Sequence, residues 1–265
     1  MNIIEITDLR KSYRGRVQAL DSLSLAVPAG EIVGLVGPNG AGKTTVINIL
    51  AGLLTSDSGT ATVFGESIEH NNAHLKQRIG FLLETPLYFE KLTAIEYLRF
   101  VAMMYGRPRE QANHRPGELM EYFDMTDVAS RLVETYSAGM KKKLSFAAAI
   151  IHDPDLVILD EPFEGVDPIS SLRIKEACHS LARRGKTVML SSHQLDTVEK
   201  LCTWIIIMDR GRAMFQASMS ELPAHRPSAT CVDDGSPLQD VFLRIVADGR
   251  TAQRKEGLSW LKPCA

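Results

Sequence analysis

The sequence predicts an α/β fold with a mainly parallel sheet, an antiparallel β portion at the N-terminal end and an inserted α-helical subdomain. Three observations predict it. Short apolar runs rich in Val and Ile recur with helical segments between them: IIEI, IVGLVG, TATVF, IGFLL, LVILD, TVMLSS and WIIIMD. Uninterrupted apolar strands separated by helices indicate a parallel sheet covered on both faces. The first two strands, at 3–6 and 21–27, lie too close together for a helical crossover, so they are expected to pair antiparallel. Between about 84 and 150 strand signals give way to helical periodicity, which splits the sheet-forming parts. The resulting organisation is a main domain over 1–215, with the helical piece at about 84–150 inserted, and an extension over 216–265.

Composition bounds the function. With 265 residues, 45% of them hydrophobic, the chain can bury a sizeable core. A formal net charge of −2 lacks the basic excess that nucleic acid binding draws on, so no nucleic acid partner is expected. Cys178, Cys202, Cys231 and Cys264 are far apart and form no C-x-x-C pair, which argues against zinc or a disulfide framework and for a reducing compartment. The opening MNIIEITDLR is not read as a secretory signal. No stretch approaches the roughly 18 apolar residues of a membrane span, so a membrane role must come through a partner.

Along the chain, Tyr13 comes first, among basic neighbours in RKSYRGRVQAL. An exposed tyrosine can stack on a base, and a packing aromatic is the equal alternative. The run GLVGPNGAGKTTVINIL, residues 34–50, then breaks an apolar strand with flexible residues before a helix begins. Ordered glycines each cost roughly 0.5–1 kcal/mol in backbone entropy relative to alanine, so their clustering implies that something approaches the backbone closely. Gly37-Pro38-Asn39-Gly40-Ala41-Gly42-Lys43-Thr44 satisfies G-x-x-x-x-G-K-[ST], between a strand at 32–36 and a helix at 44–53. In that context the amides curl around phosphates and the helix N-terminus adds its positive end. Lys43 then neutralises the β and γ phosphates, and the Thr44 hydroxyl is aimed at Mg²⁺.

Further on, Ser137 is a plausible N-cap, yet Lys141, Lys142 and Lys143 crowd the positive end of the helix it opens. Two readings stand: a docked anion relieves the conflict, or the lysines are solvated. LVILDEP, 156–162, is an apolar strand ending in adjacent acids. Strand alternation points Asp160 and Glu161 to different sides and so to different tasks. Asp160 suits a hydrated Mg²⁺ and Glu161 a general base acting on water. Pro168 near a first turn, a stripe of Ile174, Ala177, Cys178 and Leu181, late arginines and Gly185 just beyond punctuate a helix over 168–184. His193 follows TVMLSS at the sheet edge where ligands sit in such folds, and a structural histidine is the alternative. Beyond 216, Leu238, Val241, Phe242 and Ile245 mark a short amphipathic helix. The tail RTAQRKEGLSW reads as loosely ordered, with Trp260 its candidate anchor.

Taken together, phosphate loop, signature region, carboxylate strand and terminal histidine resemble the ATP-binding subunit of an ABC transporter, in that family's order over residues 1 to about 215. The resemblance implies a P-loop NTPase core in which Tyr13 stacks on adenine. It implies that Gly37, Asn39, Gly40, Ala41, Gly42, Lys43, Thr44 and Thr45 hold the ATP phosphates, with Thr44, Glu84 and Asp160 on Mg²⁺. By the same likeness Glu161 is the catalytic base, His193 a γ-phosphate sensor and Asp167 part of a loop that communicates across a dimer. Ser137 and Gly139 match the signature that touches nucleotide bound by a second cassette, in a homodimer or heterodimer. The chain departs from the commonest pattern at the signature, which reads Tyr136-Ser-Ala138-Gly-Met140, at Glu84, where glutamine is usual, and at Glu164. The Y-S-x-G-M form, the acid at 84 and LQDVFLRIV at 238–246 are similar to the branch paired with ABC-2-type export permeases. That likeness implies a cytoplasmic protein, peripheral on the inner membrane face, whose membrane contact runs only through a separate transmembrane permease. Other classes share parts of the pattern: a soluble ABC ATPase acting on nucleic acid or ribosomes, a non-catalytic nucleotide-binding regulatory module, and a P-loop kinase. The first is disfavoured by the lack of a second cassette and of a basic surplus, the last by the signature and histidine.

Overall fold

The computed structural model describes residues 1–13, 17–68, 72–225 and 236–248. Cys231, Cys264, the 250–260 tail and Trp260 lie outside the described residues. The chain divides into two compact units, Met1–Met219 and Ser220–Ala265.

The first unit opens with β1 (Asn2–Tyr13) and β2 (Val17–Pro28), followed by β3 (Ile32–Val36), α1 (Lys43–Leu50), β4 (Ser58–Val63), β5 (Glu66–Ser67), α2 (Ala73–Gln77) and β6 (Ile79–Leu82). The helical segment comes next: α3 (Ala94–Met104), α4 (Arg109–Tyr122), two 3₁₀ turns and α5 (Ala138–Ile150). The chain then returns to β7 (Leu156–Asp160), α6 (Pro168–Arg183), β8 (Thr187–Ser192), α7 (Leu195–Leu201), β9 (Trp204–Asp209) and β10 (Arg212–Ser218).

Among the described residues the strands form two sheets. One is antiparallel, in the order β2-β1-β4-β5, and the other runs β10-β9-β3-β8-β7-β6. In the second, β9, β3, β8, β7 and β6 are mutually parallel and β10 is added antiparallel at the edge. The TATVF run is therefore not part of the parallel sheet; as β4 it pairs antiparallel with β1, Ile4 opposite Val63. The first two strands are also much longer than 3–6 and 21–27. Left-handed residues at Asp8 (φ 49°) and Ser22 (φ 52°) accompany register shifts that reset the alternation and hide the strands' length.

Burial explains the parallel sheet. Every residue of β3, β7 and β8 is buried, and each large apolar side chain so removed from water contributes roughly 1.5–3 kcal/mol. The strands' carboxyl ends consequently share one edge. Val36 stands opposite Ser192, and Asp160 opposite Ser191. The loops leaving β3, β7 and β8 must meet there, the usual ligand edge of such sheets.

The helices are capped as their sequences suggest. Thr93 and Glu96 form a reciprocal capping box on α3, the Ser137 hydroxyl accepts from the Met140 amide at 3.3 Å on α5, and the Asp167 carboxylate accepts from the Ser170 amide at 2.9 Å on α6. Fully buried Leu98, Phe123 and Phe146 fill the helical segment, the two phenylalanines edge to face with centroids 5.8 Å apart. Just past α5, His152 is completely buried and stacks on Tyr105 at 3.7 Å. Its Nε2 donates to the Ile79 carbonyl at 3.2 Å. Burial pulls its pKa down to about 4, so it is neutral.

A 3₁₀ turn, Met219–His225, begins at the last residue of the first unit, and the second unit holds α8 (Pro237–Asp248), the amphipathic helix expected from 238–245. Ser236 opens α8 by accepting from the Gln239 amide at 3.3 Å.

Candidate functional site

The loop after β3 takes the shape its glycines imply. Gly40 and Gly42 have φ of 81° and 103°, which side-chain-bearing residues rarely adopt. A β-carbon on Gly42 would lie 2.6 Å from the Ala19 carbonyl oxygen, and one on Gly37 would lie 2.4 Å from that of Met208. Close backbone approach from behind, as well as curvature in front, therefore requires glycine. The loop is also braced: the Gly211 amide donates to the Ala41 carbonyl, and the Asp21 amide to the Gly211 carbonyl, each at 3.0 Å. Arg212 pairs with Asp21 alongside.

Lys43, the first residue of α1, is 7% exposed, and its ammonium donates to the Gly37 carbonyl at 2.7 Å. Burial lowers its pKa, while the charges of Glu161, Asp160 and Glu84 act in the opposite direction. A buried cation ringed by distant carboxylates is poised for an anion.

In front of the loop lies a cavity of about 550 Å³. Tyr13, Asn39, Gly40, Ala41, Gly42, Lys43, Thr44, Thr45, Glu84, Glu161 and His193 all line it, so residues spread over 180 positions meet there. Gly37, the first residue of the loop, does not line the cavity. The Tyr13 hydroxyl stands 3.5 Å from Thr45 Oγ1, and Thr44 Oγ1 stands 3.5 Å from a Glu84 carboxylate oxygen. Ser137 and Gly139 are not part of this lining; they occupy the first turn of α5.

The two acids after LVIL diverge for a reason other than strand alternation. Asp160 ends β7, but Glu161 has φ 45°, a left-handed conformation that costs a non-glycine residue about 1–3 kcal/mol. That twist, not the pleat, separates the carboxylates. It is held by Ser191 of the neighbouring strand, whose hydroxyl accepts from the Glu161 amide at 3.0 Å and donates to Asp160 Oδ1 at 2.5 Å. Asp160 is 1% exposed and its Oδ2 is buried with no hydrogen-bond partner. A buried carboxylate oxygen without a donor in the chain has room for a cation or a water as its partner. Glu161 Oε2 lies 3.1 Å from Nδ1 of His193, so the histidine is engaged at the cavity rather than packed in the core.

The solvated reading of the lysine run does not hold as stated. All three lysines are half-buried and each has a partner within the chain. Lys141 pairs with Glu90 at 3.0 Å, Lys142 reaches the Asp160 carbonyl at 3.4 Å and Lys143 reaches that of Phe123 at 3.4 Å.

Sequence reasoning passes over Ser191, because a hydroxyl at the end of an apolar strand looks like an ordinary strand terminus. Only the parallel register, Asp160 beside Ser191, reveals its task. The segment after Glu84 is likewise tied down unexpectedly: Tyr88 donates to the Lys141 carbonyl at 3.0 Å, which links it to the first turns of α5.

Comparison with known proteins gives a consistent result. Residues 20–164 match the family model described as ABC transporter. The linearmycin resistance ATP-binding protein LnrL of Bacillus subtilis (strain 168) is 38% identical over 242 residues, covering 91% of this chain and 78% of that protein. The Nod factor export ATP-binding protein I of Cupriavidus metallidurans is 34% identical over 260 residues, covering 97% of this chain and 85% of its own length. Among solved structures, an ATP-binding subunit of an ABC transporter superposes with a TM-score of 0.82 at 28% identity, covering 92% of this chain and 99% of that one. A family model over more than half the chain, relatives aligned along most of their length, and a phosphate loop facing two divergent acids and a histidine agree: the chain belongs to the ABC transporter family, as an ATP-binding subunit.

Proposed function

We propose that this chain hydrolyses ATP in a head-to-tail pair of cassettes and so drives a separate transmembrane permease that exports its cargo. The arrangement that carries the reading is the convergence in one cavity of the phosphate loop, Glu161 and His193, with the His193 ring 3.1 Å from the Glu161 carboxylate.

The roles follow from position. Tyr13 stacks on adenine at the mouth. The amides from Gly37 to Thr45, including those of Asn39, Gly40, Ala41 and Gly42, together with the Lys43 ammonium, take the phosphates. Thr44, Glu84 and Asp160 form an all-oxygen set that suits Mg²⁺, and the partnerless Asp160 Oδ2 is the observation that favours a cation there. When bound, Mg²⁺ supplies Lewis-acid neutralisation of phosphate charge. Glu161 accepts the proton of the attacking water, and His193 fixes the orientation of that carboxylate while facing the γ-phosphate.

Ser137 and Gly139 stand outside the cavity of their own chain, so a second copy or a related chain must bring its α5 to close the site. ATP favours the closed pair because its γ-phosphate contacts both halves, the differential interaction that a conformational switch needs. The permease docks on the segment 84–105. Leu87, Phe89, Phe100, Met103 and Met104 are exposed there, Leu87 by 92%, and such apolar patches mark interaction surfaces. Among the described residues no helix is long and apolar enough to cross a membrane, so attachment to the cytoplasmic face comes through that partner. The export direction draws on the relatives named for linearmycin resistance and Nod factor export.

Replacing Glu161 by Gln tests the reading. ATP binding should persist, turnover should fall about 10²- to 10⁴-fold, the usual contribution of a general base, and an ATP-loaded dimer should accumulate on gel filtration. Undiminished hydrolysis by that variant would remove Glu161 from the mechanism.

A further inference from the structure

The reading above gives no task to the lysines at the positive end of α5 or to the acid at position 164, and it uses the acid at 84 only toward Mg²⁺. The fold brings them together. Glu84, Glu161 and Glu164 all line the cavity, with Asp160 buried beside it. So much negative charge opposes the entry of a polyphosphate.

Of the three lysines, two are drawn away from the cavity. Lys141 is held by Glu90 and lies 5.6 Å from the centre of the Tyr88 ring, and Lys143 reaches the Phe123 carbonyl. Lys142 alone turns to the carboxylate side, its ammonium 3.4 Å from the Asp160 carbonyl oxygen. The first turn of α5 is packed on the loop that carries Glu164, since a β-carbon on Gly139 would lie 3.2 Å from the Gly165 carbonyl oxygen. Burial lowers the pKa of Lys142, while the charges of Glu164, Asp160, Glu161 and Glu84 act in the opposite direction; the last three act in the same way on Lys43. A cation at a helix N-terminus is disfavoured by the helix dipole, and here four carboxylates offset that disadvantage.

We infer that Lys142 is a positioning residue for nucleotide, an internal counter-cation that offsets Glu84 and Glu164 and lets a triphosphate settle in an unusually acidic cassette. Lys142 touches no reacting atom; it sets the net charge that the phosphates meet. This rests on the ATPase reading above. It also makes α5 an electrostatic bridge, because the helix that presents Ser137 and Gly139 to a second cassette carries a charge belonging to its own chain's nucleotide site.

The test is the ATP kinetics of the full-length chain as Lys142→Met, Lys142→Arg and the double variant Lys142→Met with Glu164→Gln. Lys142→Met should raise KM for Mg-ATP about tenfold, the order expected when one charge is withdrawn from a partly shielded cleft, with a much smaller change in kcat. Lys142→Arg should stay within about threefold of the parent, and Glu164→Gln should restore most of the KM lost in Lys142→Met. A double variant as impaired as Lys142→Met, or a Lys142→Met with an unchanged KM, overturns the inference. If Lys142→Met does not fold, Glu164→Gln alone decides, since Glu164 is exposed. With Lys142 in place it should tighten ATP binding about threefold, and unaltered affinity refutes the counter-cation. Failure of the ATPase reading is distinguishable, because the parent chain would then show no turnover against which to compare.

Discussion

Ser191→Ala probes the junction of the two acids more sharply than changing either acid. The hydroxyl donates to the buried Asp160 carboxylate and accepts from the Glu161 amide, so alanine removes two hydrogen bonds and leaves the cavity lining chemically intact. A hydrogen bond to a charged group contributes about 1.5–3 kcal/mol, and an abandoned, partly buried amide adds about 1 kcal/mol. The expected destabilisation is about 2–4 kcal/mol, which for a unit of this size lowers Tm by roughly 5–15 °C. Turnover should suffer too. Glu161 sits at φ 45° because its amide is pinned, and once released its backbone can relax by about 1–3 kcal/mol toward an ordinary conformation that carries the carboxylate away from His193. A loss of about tenfold or more in kcat is expected, since that relaxation energy corresponds to one or two decades. Differential scanning calorimetry read beside steady-state hydrolysis checks both. A variant with the parent's Tm and kcat would refute the claim that Ser191 sets the acids' divergence.

Three further outcomes follow from the geometry. Gly42→Ala forces a methyl to within 2.6 Å of the Ala19 carbonyl oxygen and should weaken ATP binding about tenfold or more, whereas Gly40→Ala faces open space and bears only the cost of a left-handed residue, about 1–2 kcal/mol. Equilibrium nucleotide titration of the pair checks the contrast. His152 is buried neutral with its pKa lowered to about 4, so the unfolded chain binds a proton before the folded one does; stability is full above the ordinary histidine value and drops as pH falls toward 4. Acid from pH 7 to pH 5 should reduce the contribution of this residue by about 2 kcal/mol, and a His152→Phe chain measured by urea unfolding should lose that part of the slope. Replacing Leu87 and Phe89 together by serine should reduce the amount of membrane partner recovered with the tagged chain from detergent extracts, and equal recovery would place the docking surface elsewhere.

What the sequence reveals and conceals divides along local and long-range physics. The loop Gly37–Thr44, the apolar strand before Asp160, the Ser137 cap and the helix opening at Pro168 are legible because each depends on neighbours within one or two turns. β10 is not, since RAMFQAS alternates weakly at a sheet edge and has no continuous apolar run. The left-handed Glu161 is equally hidden, because strand alternation gives the right divergence for the wrong reason. The partners of Lys141, Lys142 and Lys143 stand 51, 18 and 20 residues away, and Ser191 lies 31 residues beyond Asp160. Such pairings are set by sheet register and helix docking, and no local pattern announces them.

The bracing behind the phosphate loop has a kinetic corollary. Since Gly211 holds the loop through its bond to Ala41, and is itself held by the Asp21 amide from a distant strand, the loop is braced without a ligand, and capture need not wait for the backbone to order itself. Discrimination among nucleotides is thereby partly inherited from residues that never meet them: loosening the clasp at Arg212 would be felt as faster ligand escape, with every phosphate-facing group still in place.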